Sequence, residues 1–266
     1  MKVFDFHSHI FPDDLAAYAL GKLSYGSHIT PYTDGTLAGT SKIMEAAGIC
    51  GFNTLHIATN PKQQHNVNSF AIATAKLGQA YAFGSVHPSS SEALTELDRI
   101  AAAGLKGIKM HPDYQGFQLS NRVVYPIFER CQELGLIVLF HAGHDPAFMD
   151  ALRASVVDIQ TVANDFKKLK FVAAHMGGLM LGQEVYDTLA GKCQVYFDTS
   201  CSVGFLDKEL ATKIIQRHGA ENILFGSDCP WGDPKAHREY VDSLPLTDNQ
   251  KEMIFYNNAK RLLGLT

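Results

Sequence analysis

The sequence lacks the features that mark membrane, secreted and nucleic-acid-binding proteins. Its longest aliphatic run, residues 136–140, is far too short to span a bilayer, and no apolar signal region stands at the N-terminus. The five cysteines are scattered without CxxC spacing, which predicts a reducing compartment rather than a disulfide framework. The 27 acidic and 23 basic residues form no long block of one sign. We therefore expect a cytoplasmic protein that binds neither nucleic acid nor a membrane.

Two further absences bear on function. No glycine-rich phosphate loop follows the first predicted strand, which argues against an open, doubly wound nucleotide-binding sheet. No arginine occurs in the first 98 residues, so the loops after the first three strands cannot offer a guanidinium to a substrate. The second absence matters because a planar guanidinium suits a carboxylate better than a lysine does.

Short β-branched or aromatic runs alternate with segments of helical period along the whole chain, without a composition break or an internal repeat. The pattern predicts eight strands, at residues 5–9, 53–59, 80–86, 105–110, 136–141, 170–175, 193–199 and 223–225. It also predicts a loop over residues 21–35 and two short helices within residues 145–169. Eight consecutive strand–helix units are buried best in a closed (β/α)8 barrel. We expect one TIM-barrel domain over residues 1–266.

Polar residues stand at the carboxyl ends of these strands, which converge on one mouth of a barrel. Because side chains alternate along a strand, His7 and His9 share a face, and we expect it to point inward. By the same alternation, His141 should point inward with Ile137 and Leu139, and His175 with Phe171 and Ala173. The remaining polar residues at strand ends are Lys109, His111 and Asp228.

This set of side chains is typical of a metal site. Two imidazoles on one strand face supply two neutral nitrogen ligands without any ordering of a loop. Asp228, taken alone, is equally explained as a helix cap before Pro230. Together with the other strand ends, it is better explained as the carboxylate that lowers the charge of a bound cation and accepts a proton from water.

Five short motifs, in this order, resemble the amidohydrolase superfamily. They are DFHSH at 5–9, GIKMHP at 107–112, HAG at 141–143, AHMGG at 174–178 and GSDCP at 226–230. The set is most similar to the amidohydrolase-related branch, which also contains aminocarboxymuconate-semialdehyde decarboxylase. The resemblance covers essentially the whole chain, and it implies the same barrel fold.

The resemblance implies one divalent ion, most often zinc, held by His7, His9, His141 and Asp228. His175 would then lie beyond the ion and, with Asp228, carry the proton transfers of catalysis. Lys109 has two interpretations. In two-metal members of the superfamily a lysine on this strand is carboxylated and bridges both ions, whereas otherwise Lys109 would face a substrate carboxylate or a neighbouring acid.

The implied activity is a metal-dependent hydrolysis of a small amide, lactone or ester. The alternative is a non-oxidative decarboxylation of a small unsaturated or aromatic acid. The shortage of arginine favours hydrolysis, although a second subunit of a homo-oligomer could supply one. We expect Lys109, His111 and Tyr114 to contact the substrate. We expect His28, His65, His218 and His237 to be solvated surface residues.

Overall fold

Eight parallel strands surround a common axis in the computed structural model, which describes residues 1–264. The strands are β1 (Phe4–Ser8), β2 (Gly51–Leu55), β3 (Tyr81–Phe83), β4 (Gly107–Met110), β5 (Ile137–Phe140), β6 (Lys170–Ala173), β7 (Tyr196–Asp198) and β8 (Ile223–Leu224). Their regular ladders run in the order β1-β2-β3 and β4-β5-β6-β7-β8.

Main-chain hydrogen bonds close the two ladders into a barrel. Between β3 and β4, the Gly84 amide donates to Gly107 O at 3.0 Å, and the Lys109 amide donates to Gly84 O at 2.8 Å. Between β8 and β1, the Asp228 amide donates to His7 O at 2.8 Å. Because both seams are bonded, every strand has two neighbours, and the predicted (β/α)8 barrel is confirmed.

Helices follow the strands and cover the outside of the barrel. They are α1 (Asp13–Ser27), α2 (Leu37–Ala46), α3 (Gln64–Lys76), α4 (Ala93–Ala102), α5 (Pro112–Gln115), α6 (Tyr125–Leu134), α7 (Val156–Asp165), α8 (Gly182–Thr188), α9 (Lys208–His218), α10 (Pro234–Asp242), α11 (Asp248–Glu252) and α12 (Asn258–Leu263). A π-helical turn, Met253–Asn257, joins α11 to α12. In residues 1–264, no helix is long and apolar enough to cross a bilayer.

Two local predictions are wrong. The predicted loop over residues 21–35 begins instead within α1, which runs on to Ser27 and ends with His28 in the left-handed conformation. Glycine lowers helix propensity, but the burial of Ala16 and Leu20 holds this helix against the barrel. The connection over residues 145–169 contains one α-helix rather than two. This helix, α7, begins at Val156 after its N-cap Ser155, whose side chain and that of Asp158 form a capping box.

The barrel interior is a small apolar cluster. It contains the strand residues Phe4, Phe6, Leu55, Phe83, Ile137, Leu139, Val172 and Leu224, together with Ala174 directly after β6, and residues of α12 pack against it. A larger cluster, which includes Val3, Ile108, Phe171 and Ala173, fills the layer between strands and helices. In β5, Ile137 and Leu139 face the interior, as predicted. In β1 and β6 the prediction is wrong: Phe4, Phe6 and Val172 face the interior, whereas Phe171 and Ala173 face the helices.

His7 and His175 reach the mouth in spite of the wrong alternation. The pairing of β1 with β2 changes register between Asp5 and Ser8, which resets the direction of the following side chains. β6 ends at Ala173, and His175 lies in the turn after it with φ +59°. The irregular backbone at both points, and not the period of the strand, turns these imidazoles inward.

Candidate active site at the barrel mouth

Three of the predicted ligands meet at one point. The Nε2 atoms of His7 and His9 are 3.3 Å apart, and each lies 3.2 Å from Oδ1 of Asp228. His7 is on β1, His9 directly follows it, and Asp228 lies in the loop after β8, the strand next to β1 in the barrel. The seam between the first and last strands therefore places these side chains together.

The outer nitrogens of these two imidazoles are already engaged. His9 Nδ1 lies 2.9 Å from Leu55 O, and a carbonyl oxygen only accepts, so this nitrogen carries the hydrogen. His7 Nδ1 likewise donates to Asp198 Oδ2 at 2.8 Å. Each Nε2 is therefore the atom that faces the Asp228 carboxylate: a protonated Nε2 donates to Asp228, and a neutral one would offer its lone pair to a cation between them. Three acceptors at this spacing are stabilised by a cation between them.

His141 and His175 add two more lone pairs. His141 Nε2 donates to His144 O at 3.2 Å, which leaves its Nδ1 as an acceptor 3.0 Å from His175 Nε2. The Ser200 hydroxyl donates to Asp198 Oδ1 and accepts from His175 Nδ1 at 2.8 Å. His175 Nε2 is therefore also an acceptor. The nitrogen and oxygen donor set fits a divalent ion such as zinc.

Among residues 1–264, two groups of side chains have the spacing of a metal site. In the first, ligand atoms of His7, His175 and Asp228 lie within 4.8 Å of one another. The second joins His111 and His141 to Asp145. The rings of His111 and His141 are stacked, with centroids 4.3 Å apart and planes inclined by 13°. Two parallel imidazoles cannot both direct in-plane lone pairs at one ion, so the second group is a poor ligand set.

The charges of the site suit a base beside a cation. Burial lowers the pKa of His175 to about 4, against the attraction of Asp228, so its imidazole is neutral at neutral pH. Burial also acts to raise the pKa of Asp228, but the charge of His7 and the hydrogen bonds of both strand-one imidazoles outweigh it and hold the pKa well below its usual range. Asp228 is therefore ionised.

Lys109 lies against the ligands rather than in open space. Its Nζ is 3.3 Å from His7 Nε2, and the side chain is completely buried. Burial lowers the pKa of this amine to about 8, opposed by the carboxylates of Asp228 and Asp198. An amine with this pKa is partly neutral at pH 7.5, which carboxylation requires, so both interpretations of Lys109 remain open.

His111 and Tyr114 form the adjoining wall, after β4. His111 Nε2 lies 3.2 Å from Asp145 Oδ2, and the Tyr114 ring packs edge-on against the His111 ring at 4.6 Å. Burial raises the pKa of Tyr114 above its usual range, so its hydroxyl stays protonated. His111 therefore lies beside His141, and Tyr114 lies against His111; their contact with substrate stays a prediction.

Sequence reasoning missed Asp198 and Ser200, at the end of β7. Asp198 also accepts the backbone amide of His175 at 3.0 Å, so it fixes both His7 and His175. The sequence does offer a signal for Asp198, since it is a polar residue near the end of the seventh predicted strand, 193–199. The prediction that His218 and His237 are solvated surface residues is wrong, because both are buried. His28 and His65 are exposed, as expected.

The chain belongs to the amidohydrolase family, which matches residues 4–265. A curated relative, the 2-keto-4-carboxy-3-hexenedioate hydratase of Sphingobium sp. strain SYK-6, is 28% identical over 220 residues. The match covers 66% of this chain and 63% of that relative, which is less than two thirds of the relative's length. Membership of the amidohydrolase family supports the expectation that the protein is an enzyme.

Solved structures share the fold at low identity. An uncharacterised TIM-barrel protein from Bordetella bronchiseptica has a TM-score of 0.82 at 20% identity, over 99% of both chains. The 5-carboxyvanillate decarboxylase of Sphingomonas paucimobilis gives 0.71 at 16%, over 100% of this chain and 99% of that one. A putative 2-pyrone-4,6-dicarboxylic acid hydrolase from Pseudomonas putida gives 0.68 at 18%, over 99% and 97%.

Proposed function

We propose that the protein is a zinc-dependent hydrolase that adds water to the carbonyl carbon of a small amide, lactone or ester. The proposed ligands are His7, His9, His141 and Asp228. A divalent ion held there supplies Lewis acidity, which lowers the pKa of water and polarises a carbonyl oxygen. The observation that carries the proposal is the acceptor nitrogen of His175, because hydrolysis needs a base beside that ion.

The residues around the proposed ion then have separate roles in proton transfer, positioning and substrate binding. His175 Nε2 takes a proton from the attacking water, and Nδ1 stays hydrogen-bonded to Ser200, so the ring does not turn. Asp198 holds Ser200 and offsets the positive charge that develops on His175. His175 then returns this proton to the leaving group, either directly or by passing it to Asp228, whose carboxylate lies within 4.8 Å. Lys109, His111 and Tyr114 bind and orient the substrate.

The positions of the arginines favour hydrolysis over decarboxylation. Of the seven arginines, six contact residues of the surrounding helices and turns, as in the pair of Arg99 with Glu96. The seventh, Arg153, approaches the short helix α5 that follows β4, where its Nε lies 3.8 Å from Asp113 Oδ1. Among residues 1–264, the one guanidinium near the mouth therefore already has an acidic neighbour. No other guanidinium is there to bind the carboxylate that a decarboxylase removes.

Hydration of a carbon–carbon double bond is the second candidate. The 28% identical relative is a hydratase, and hydration also begins with water activated beside a base. Decarboxylation is the third, since it occurs on this fold in the 5-carboxyvanillate enzyme. It requires proton donation to carbon, whereas a neutral His175 with a free Nε2 lone pair accepts protons.

The test is a substrate panel with zinc-reconstituted protein. It contains lactones, N-acyl compounds, hydroxybenzoates and unsaturated dicarboxylic acids. We expect turnover of a lactone or an N-acyl compound, absent in the His7→Ala/His9→Ala variant and retained in the surface control His28→Ala. Carbon dioxide release without hydrolysis would favour a decarboxylase. Water addition to an unsaturated acid alone would favour a hydratase.

A further inference from the structure

A completely buried acid, Asp5, stands on β1 two residues before the proposed ligand His7. Its Oδ1 accepts a hydrogen bond from the main-chain amide of His7 at 3.0 Å and another from the amide of Ser227 at 3.1 Å. Ser227 directly precedes Asp228, the proposed ligand in the loop after β8. One carboxyl oxygen is therefore bonded to the main chain beside two of the proposed ligands.

The backbone of β1 is irregular at this point. Between Asp5 and Ser8, two residues of β1 stand opposite one residue of β2, which is the count of a β-bulge. A bulge takes the extra residue out of the regular ladder, and here the His7 amide donates to the Asp5 side chain. The same irregularity directs His7 to the mouth. Asp5 therefore supports the backbone that presents this imidazole.

The loop after β8 is bonded to the same carboxyl. The chain passes His7 so closely that a Cβ on Gly226 would lie 2.8 Å from the His7 Cβ. Two residues further on, the Asp228 amide donates to His7 O at 2.8 Å. The Ser227 amide lies between these two close contacts and donates to Asp5. A shift of the main chain on one side of the seam therefore displaces the ligand on the other side.

The second oxygen of Asp5 makes no hydrogen bond. Oδ2 is buried and has no partner among residues 1–264. The bonds that Asp5 contributes are thus the two that Oδ1 accepts. The amide oxygen of an asparagine could accept both of them, whereas an alanine could accept neither.

We propose that Asp5 is a positioning residue, whose Oδ1 fixes the main chain at His7 and Ser227 together and so determines the affinity of the site for zinc. The inference rests on the proposed function, since it requires a cation held by His7 and Asp228. The facing atoms of these two ligands are only 3.2 Å apart, so a small rotation of either backbone changes the geometry offered to the ion. Without Oδ1, two buried amides lose their acceptor, and the backbone on both sides of the seam moves to satisfy them.

The zinc affinity of the metal-free protein, measured by competition with a chromogenic chelator, tests this role. In Asp5→Ala we expect the Kd for zinc to rise by about 10–100-fold, the usual cost of losing a group that holds a metal ligand in place. Asp5→Asn keeps an acceptor at the position of Oδ1, so its Kd should stay within about threefold of that of the unaltered protein.

Asn258→Ala is the matched control for a loss of stability. Asn258 lies on α12, is also completely buried and donates to Ala220 O and Ile223 O, each at 2.7 Å. Its Oδ1 has no partner, as in the case of Oδ2 of Asp5. These bonds lie at the start of β8, at the end of the strand away from the mouth. Both alanine variants should unfold at lower urea concentration, and only Asp5→Ala should lose zinc affinity.

An unchanged zinc Kd in Asp5→Ala, or an equal rise in Asn258→Ala, would overturn the positioning role and leave the metal site intact. A rise of more than about tenfold in Asp5→Asn would also overturn it, because the acceptor is retained there. If Asp5→Ala does not fold, Asp5→Ser replaces it under the same limits, since its hydroxyl is one bond too short to reach both amides. If the unaltered protein binds no zinc, the metal site of the proposed function fails, and this role of Asp5 fails with it.

Discussion

The direction of each imidazole lone pair depends on the partner of its other nitrogen. Leu55 O fixes His9, Asp198 fixes His7, and Ser200 fixes His175. Such partners of metal ligands and bases raise their basicity and hold their rings in place, and their loss costs about 10–100-fold in affinity or activity. The chemistry proposed for this mouth therefore depends on β7 as much as on the strands that carry the ligands.

His175→Asn separates proton transfer from metal binding. Asparagine tolerates the positive φ of this position, so the backbone should be retained. We expect turnover to fall by about 10²–10⁴-fold, the usual contribution of a general base, while the zinc content stays unchanged. Steady-state kinetics and elemental analysis check this, with His28→Asn as the control.

Loss of one equivalent of metal in His175→Asn would contradict the role of base. It would make His175 a ligand of a second ion. The carboxylated form of Lys109 would then be required, and extra mass on that lysine would identify it.

The packing of α9 on β7 buries a histidine that supports the site from behind. The His218 ring stacks on Phe197 at 4.0 Å, Nε2 donates to Val195 O at 2.7 Å, and Nδ1 accepts the Gly191 amide at 3.2 Å. Phe197 precedes Asp198 on β7, so this packing helps to set the position of the residue that fixes His7 and His175. Both ring nitrogens are satisfied only in the neutral form.

Burial lowers the pKa of His218 below its usual value, opposed by its bond to Val195. A group whose pKa is lower in the folded protein stabilises it above the unfolded pKa of about 6.5, and that stability is lost as the pH falls. We expect His218→Gln to be less stable than the unaltered protein at pH 8. The difference in unfolding free energy should shrink toward pH 5, by at most about 1.4 kcal/mol per pH unit.

Urea unfolding at several pH values measures this difference. A constant difference for His218→Gln would mean that His218 is protonated in the folded protein as readily as in the unfolded chain.

The proposed metal site spans the seam where the barrel closes. His7 and His9 belong to the start of the chain and Asp228 to the loop after the last strand, so an ion there joins two ends of the fold. An ion that binds only the folded state stabilises it by about 2.7 kcal/mol at 100 times its Kd and about 4.1 kcal/mol at 1,000 times.

Chelator treatment should therefore lower the Tm, and added zinc should raise it with the free ion concentration. In His7→Ala/His9→Ala the Tm should not respond to zinc, and elemental analysis should find no bound ion in place of about one per chain. Far-ultraviolet circular dichroism should be unchanged, because the apolar interior of the barrel lies below these residues. Unchanged zinc content in the double variant would refute the ligand assignment.

The sequence by itself determined the barrel and the location of its mouth. Alternating strands and helices leave each strand two faces to bury, and a closed barrel satisfies all eight strands at once. The polar ends of the strands, among them His7, His141 and Asp228, then had to meet at the carboxyl edge. These conclusions need only the order and period of residues, which are local properties.

The tertiary structure alone decided which atoms face one another. In β1 and β6 the residues that face the interior are not those that strict alternation predicts. His7 and His175 nevertheless face the mouth, because the register change in β1 and the turn after β6 redirect them. Asp198 and Ser200 act on residues far away in the chain, and their place at the end of the seventh predicted strand does not show which side chains they contact. The tautomers of the site histidines likewise result from contacts between residues that are distant in sequence, because hydrogen bonding depends on distance in space.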